Sequence, residues 1–164
     1  MNQIADDLSK DLDLDDWGVS EKIFHLVQKR INILFTLDAF ADTATAKCRQ
    51  FYSKFWCLGS SGVDGLEYNW GGQICWLVPP ISLISRAIQH LKRCRGYGVI
   101  IVPGWRSSAF WPSIHGDCGF KTGIKLILEF RRPSRFFVAG LDANDMFTHQ
   151  AFGSDVLILE LNFK

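Results

Sequence analysis

The sequence predicts an α/β fold whose sheet is mostly parallel, with an antiparallel C-terminal edge. Apolar runs of strand length alternate with amphipathic stretches as far as residue 102, the pattern of parallel strands joined by crossover helices. The last third is instead rich in strand candidates, two of them separated by Arg131-Arg132-Pro133-Ser134 at turn spacing. Between these regions, Ile74-Cys75-Trp76-Leu77 reads as a buried strand that Pro79-Pro80 stops. A Pro-Pro turn is rigid and cannot continue a ladder. In open α/β sheets, ligand crevices form at the carboxyl ends of such strands.

Taken in order, residues 1–16 hold an Asp-rich stretch with few apolar anchors and read as an acidic leader or linker. The domain proper is expected over 17–164. Ile23, Phe24, Val27 and Ile31 share one face of a helix over about 20–31, with Ser20 as its N-cap. Strands are expected at 33–38, 73–77, 98–102, 124–130, 135–139 and 155–163, and further helices at 81–94 and 107–114. Strands 33–38, 73–77 and 98–102 should lie parallel and adjacent, with helix 81–94 crossing right-handedly between the last two. Strand 155–163 should run antiparallel to its partner.

A chain of 164 residues, 48% hydrophobic and 21% charged, is long and apolar enough for one domain with a real core. No apolar run approaches the roughly 20 residues of a membrane span. The first residues lack the regions of a signal peptide, so an intracellular setting, cytoplasmic or nuclear, is expected with no membrane partner. Five dispersed cysteines with no CxxC pair read as reduced, partly buried thiols rather than a zinc site. The net charge of +1 hides an asymmetry. Residues 1–21 carry seven acids and one base, so the rest of the chain carries +7. A basic body suits nucleic acid as a partner, although an acidic linker before an ordinary domain has the same signature.

Three groups of residues could carry chemistry. Asp38 ends the first apolar strand, where a carboxylate binds a ribose hydroxyl or caps the next loop. No GxGxxG accompanies it. Asp64-Gly65-Leu66 lies in a Gly-rich loop that ends in Trp70-Gly71-Gly72, by itself a turn signal. The Pro-Pro turn is flanked by Val78 and Ile81. Methylation of an exocyclic amine needs an acceptor for the amine hydrogens and a ring to stack the flipped base. Valine offers no acceptor, and isoleucine is a poor stacking partner. The third group, Trp105, Arg106, Phe110 and Trp111, interleaves aromatics with a cation, as in single-strand binding, or forms a loop packed back over the sheet.

The ordered segments Leu37-Asp38-Ala39-Phe40-Ala41, Ala46-Lys47-Cys48, Asp64-Gly65-Leu66, Trp70-Gly71-Gly72 and Trp76-Leu77-Val78-Pro79-Pro80-Ile81 resemble the phage-type DNA N6-adenine methyltransferase family over about 17–115. That resemblance implies a Rossmann-like, methyltransferase-type sheet. It places Asp38, Ala39, Phe40 and Asp64 at a cofactor site for S-adenosylmethionine. Val78, Pro79, Pro80 and Ile81 correspond to the catalytic Asn/Asp-Pro-Pro-Tyr box, with both flanks changed.

A second resemblance uses the same block and its surroundings. Asn2-Gln3-Ile4-Ala5-Asp6-Asp7-Leu8-Ser9-Lys10 is similar to the end of retroelement ribonuclease H domains. Phe51-Tyr52-Ser53-Lys54-Phe55-Trp56 and the run from Pro103 to Pro112 complete an order similar to polyproteins of DIRS-type tyrosine-recombinase retrotransposons. There a methyltransferase-like domain follows reverse transcriptase and ribonuclease H. Asp6 matches the last metal-binding acid of ribonuclease H. Residues 1–10 are then a remnant without nuclease activity, since two-metal hydrolysis needs several converging carboxylates. This implies reverse transcriptase, ribonuclease H and recombinase modules as partners.

The reading that joins these observations is a non-catalytic methyltransferase-like domain that supports nucleic-acid handling in a retroelement polyprotein and uses no cofactor. The alternatives are an S-adenosylmethionine-dependent DNA N6-adenine methyltransferase, degenerate or weakly active, and a structural fragment without retained binding.

Overall fold

The computed structural model describes residues 17–133, 136–139 and 153–164. The acidic leader expected over 1–16, with Asp6, lies outside the described residues. So does Ser134 of the turn between the two β-rich runs.

Ten strands and three helices are described. The strands are β1 (Trp17–Val19), β2 (Leu37–Asp38), β3 (Gln50–Phe51), β4 (Ile74–Leu77), β5 (Tyr97–Pro103), β6 (His115–Gly116), β7 (Gly119–Phe120), β8 (Ile124–Phe130), β9 (Phe137–Ala139) and β10 (Val156–Asn162). The helices are α1 (Glu21–Ile31), α2 (Ile84–Arg93) and the single turn α3 (Trp111–Ile114). The central sheet has six strands in the order β3-β2-β4-β5-β10-β8. The β3-β2, β2-β4 and β4-β5 pairs are parallel. β10 is antiparallel to both β5 and β8. Five strands therefore share one direction and β10 alone opposes them, an arrangement compatible with a methyltransferase-like fold.

The three expected parallel strands are adjacent. The antiparallel C-terminal strand is not itself the edge, because β10 sits between β5 and β8, and β8 closes that side. The strand expected over 135–139 does not join this sheet. It pairs with β1 as a separate two-stranded ribbon, Gly18 opposite Val138. No helix among the described residues is long and apolar enough to cross a membrane.

The sheet is covered on both faces, and strand alternation decides which residues go where. Cys75, Leu77, Ile100, Val102, Leu157 and Leu159 pack with Ile84, Ala87, Ile88 and Leu91 of α2. Trp76, Val78, Val99, Ile101 and Ile158 face the other way, toward Phe24 and Val27 of α1 and toward Val19 and Phe136. Phe24 meets Trp76 edge-on at 5.0 Å between ring centroids, and Phe35 meets the same ring at 5.0 Å. Edge-to-face pairs of this kind add about 1 kcal/mol each beyond burial.

α1 starts at Ser20 as the sequence predicts, but without a side-chain cap. The Ser20 carbonyl accepts from Ile23 and Phe24, and its own N–H donates to the Phe136 carbonyl at 2.8 Å. The helix start is thereby tied to the β1–β9 ribbon. Helix 81–94 enters through a 3-10 turn, Ile81–Leu83, before α2 proper. That turn begins at Pro80, whose missing N–H costs nothing at a helix start.

Candidate functional site at the carboxyl edge of the sheet

Because β3, β2, β4 and β5 run in parallel, the segments that follow them all emerge at one edge. These are residues 52–64, 39–47, 78–81 and 104–110, so topology gathers all three sequence-predicted groups on the side where α/β proteins bind ligands.

Asp38 ends β2 and is 2% exposed. Its Oδ2 accepts from the Lys47 backbone N–H at 3.0 Å, while Oδ1 is shielded from solvent and has no hydrogen-bond partner. Desolvation pushes its carboxyl up from 3.8 to about 7, against the opposing pull of the Lys47 and Phe40 amides and the Lys47 charge. The Lys47 ammonium, nearly buried, pairs with Glu21 Oε1 on α1 at 3.0 Å. Beside it, burial pushes the Cys48 thiol up to about 12, with the Asp38 charge adding to the effect. Asp38 thus braces the loop that follows β2.

Segments 38–40 and 64–66 are brought together. Gly65 is buried so tightly against the Ala39 carbonyl that a β-carbon there would collide with backbone. Ala39 is itself core, at 1% exposure. Phe40 packs edge-on against Trp70 at 5.9 Å. The Trp70 Nε1–H donates to the Gly65 carbonyl at 2.8 Å, and its ring contacts His90 at 4.4 Å. His90 Nε2 in turn bonds the Tyr68 carbonyl at 2.7 Å. Asp64 sits at φ +57° and caps a 3-10 turn, with Oδ1 accepting from Leu66 N–H at 3.2 Å. Its carboxylate is exposed.

At the Pro-Pro box, Val78 is 4% exposed and belongs to the core on the α1 face. Pro79 is buried, Pro80 begins the 3-10 turn, and Ile81 lies half-buried against the α2-face core. The residue before the two prolines is thus a packed aliphatic side chain, and the residue after them is a half-buried one.

The third group is divided by the fold. Phe110 is 3% exposed and is part of the α2-face core, so its ring cannot stack a base. Trp105 packs partly on the same core, and its Nε1–H donates to Ser154 Oγ at 2.8 Å. Trp111 is half-buried and stacks on His115, with centroids 5.5 Å apart. Arg106 alone of the four is exposed. The loop after β5 therefore packs back over the α2 face and leaves its cation at the rim.

Two features escaped the sequence reading. The β1–β9 ribbon lies against the loop after β2, since a β-carbon on Gly18 would meet Thr45 Cβ at 2.7 Å. Three-residue strands leave too short a pattern to read. The loop after β3 exposes Phe55 and Trp56, and aromatic residues default to core in a sequence. The run without an acid from Arg49 to Val63 is the signal that marks this loop as unusual.

No curated protein matches the chain. A family model described as DNA N-6-adenine-methyltransferase (Dam) matches residues 7–120. The match takes in α1, the strands β2 to β5, the Pro-Pro box and the loop bearing Arg106, well over half of the 164 residues. With that extent of match, and a sheet compatible with it, the chain belongs to the DNA N-6-adenine-methyltransferase (Dam) family.

Proposed function

We propose that this member of the family has lost methyl transfer and serves by holding nucleic acid along the carboxyl edge of its sheet. The observation that carries the reading is Val78, an aliphatic side chain packed into the core where amine methylation needs a hydrogen-bond acceptor facing the base. Ile81 adds to it, since it offers no π-face for stacking.

The cofactor position argues the same way. A methyltransferase family implies S-adenosylmethionine as donor, and the strand-end acid is the residue that would accept from its hydroxyls. Asp38 Oδ1 does lack a partner, but it has no solvent access and its sister oxygen holds the Lys47 amide. A ligand hydroxyl cannot reach Oδ1 without a rearrangement at the strand end. In this arrangement Asp38 offers the cofactor no accessible carboxylate oxygen.

Support for nucleic acid comes from the +7 body and from Arg106, exposed at the same edge. In this reading the domain descends from a DIRS-type retroelement polyprotein and works beside reverse transcriptase, ribonuclease H and recombinase modules inside the cell. The order of the resembling segments supports that descent.

Calorimetric titration with S-adenosylmethionine, together with a labelled-methyl transfer assay on DNA, tests the loss of catalysis. We expect no binding heat and no transfer. Transfer by the wild-type chain would overturn the reading. Oligonucleotide binding that weakens steeply with salt is the positive expectation.

A further inference from the structure

Among the described residues, eight large apolar side chains are exposed, and five of them fall within residues 55–68: Phe55, Trp56, Leu58, Val63 and Tyr68. Isolated exposed apolar residues are ordinary, but a cluster in one loop marks a contact surface. Trp56 is 78% exposed and Phe55 is 67% exposed.

The loop that carries them is not loose at its base. The Ser61 N–H donates to the Phe51 carbonyl at 2.8 Å, and the Ser53 N–H donates to the Gly62 carbonyl at 3.1 Å. The Thr43 hydroxyl donates to the Leu58 carbonyl at 2.7 Å, and the Ser53 hydroxyl donates to Ser60 Oγ at 2.8 Å. Tyr68 is the exception among the five, since it stacks face to face on Tyr52 at 4.3 Å and helps wall the loop. The Phe55 and Trp56 rings stand on a braced platform, largely uncovered by the described residues.

Charge narrows what such a platform fits. The loop 52–63 holds one base, Lys54, and no acid, and the exposed Asp64 and Glu67 follow it. The Lys54 ammonium sits 5.4 Å from the centre of the Phe55 ring, which puts a cation and an aromatic face at one place. The loop follows β3, so it emerges at the same edge as Arg106 after β5. Those strands are three spacings apart, roughly 14 Å. A polyanion with stackable rings can reach both points along that edge.

We propose that the loop 52–63 is a stacking platform for single-stranded nucleic acid, with the Phe55 and Trp56 rings taking bases and Arg106 taking phosphate further along the edge. This rests on the reading of the carboxyl edge as a nucleic-acid face, and it assigns the bases to a loop outside the Pro-Pro box. Single strands are favoured over duplex because the two rings need unpaired base faces.

The test is fluorescence anisotropy of the full chain with a labelled poly-thymidine oligonucleotide at two salt concentrations, with a melting curve for each variant. Trp56→Ala should weaken binding roughly 5- to 150-fold, the range for loss of one base–aromatic stack. Its melting temperature should be unchanged, because the ring is exposed. Trp56→Phe should keep most of the affinity. The salt slope should not change with either variant, since no charge is removed. Wild-type binding with an unaltered Trp56→Ala affinity overturns the platform and leaves the nucleic-acid reading of the edge standing. No wild-type binding at low salt overturns both. Vesicle co-sedimentation or dimer formation that depends on Trp56, with oligonucleotide affinity indifferent to it, assigns the loop to a membrane or a second copy and also overturns the proposal.

Discussion

The Lys47 backbone N–H donates to Asp38 Oδ2 at 3.0 Å, so the strand-end acid holds its own loop in place. Burial dominates its chemistry, and its carboxyl stays protonated to about 7 in the folded chain against 3.8 for an ordinary aspartate. Between those two values the folded chain keeps a proton that the unfolded chain releases. Its contribution to stability is therefore full below pH 3.8 and falls as pH rises to about 7. Asp38→Asn does not titrate. Relative to wild type it should gain on the order of a few kcal/mol between pH 4 and pH 8. Urea unfolding of both proteins at those two pH values measures the difference. A stability difference independent of pH would mean the carboxyl is not desolvated.

Gly65 is expected to be irreplaceable. Its contact is with the Ala39 carbonyl, which is backbone in a buried segment and cannot swing aside. Gly65→Ala should cost about 1–3 kcal/mol as an overpacked site, lowering the melting temperature by roughly 2–10 °C. Gly116→Ala is the control. A β-carbon there would have nothing within 4 Å, and the Gly116 backbone is not left-handed, so the variant should melt like wild type.

The central sheet was legible because β4 and β5 are apolar runs buried on both faces, β10 opens with four buried apolar residues, and the Pro-Pro turn fixes where β4 stops. The first strand shrank from six expected residues to two. Leu34 is 75% exposed, and regular pairing begins only at Leu37. The fate of Val78 was also readable. A period of two from Trp76 puts it on the α1 face with Phe24 and Val27. The insertion of β10 between β5 and β8 was not readable, since an apolar run does not say which neighbours it will take. Neither was the division of the 105–111 aromatics. Phe110 and Trp111 are adjacent in sequence, yet only one is fully buried, because a helical turn starts between them.

Restoring a polar group at the Pro-Pro box should fail as a rescue. Val78→Asn puts an amide among Val19, Phe24 and Phe136 in the core. Burying it without partners should cost about 1–3 kcal/mol, read as a lower melting temperature. Val78→Asn with Ile81→Tyr should transfer no labelled methyl group to DNA, because Asp38 Oδ1 stays shielded from solvent and Oδ2 stays bound to the Lys47 amide. Methyl transfer by the double variant would show that the box still opens onto a working pocket.

Within the loop after β5, structure and binding should separate by residue. Phe110 is core, so Phe110→Ala should cost about 3–5 kcal/mol, a fall in melting temperature of about 10 °C or more. Trp105→Ala should also lower the melting temperature, because it removes packing and the bond to Ser154 Oγ. Arg106 is exposed, so Arg106→Ala should melt like wild type. Its loss should appear in nucleic-acid binding instead. Removing one phosphate contact reduces the slope of log affinity against log salt by about 1 and weakens binding across sequences alike. Anisotropy titrations of wild type and Arg106→Ala over a salt series give both quantities. Equal slopes would remove Arg106 from the interface. A melting temperature well below wild type would mean that its side chain belongs to the packing of the loop rather than to the rim.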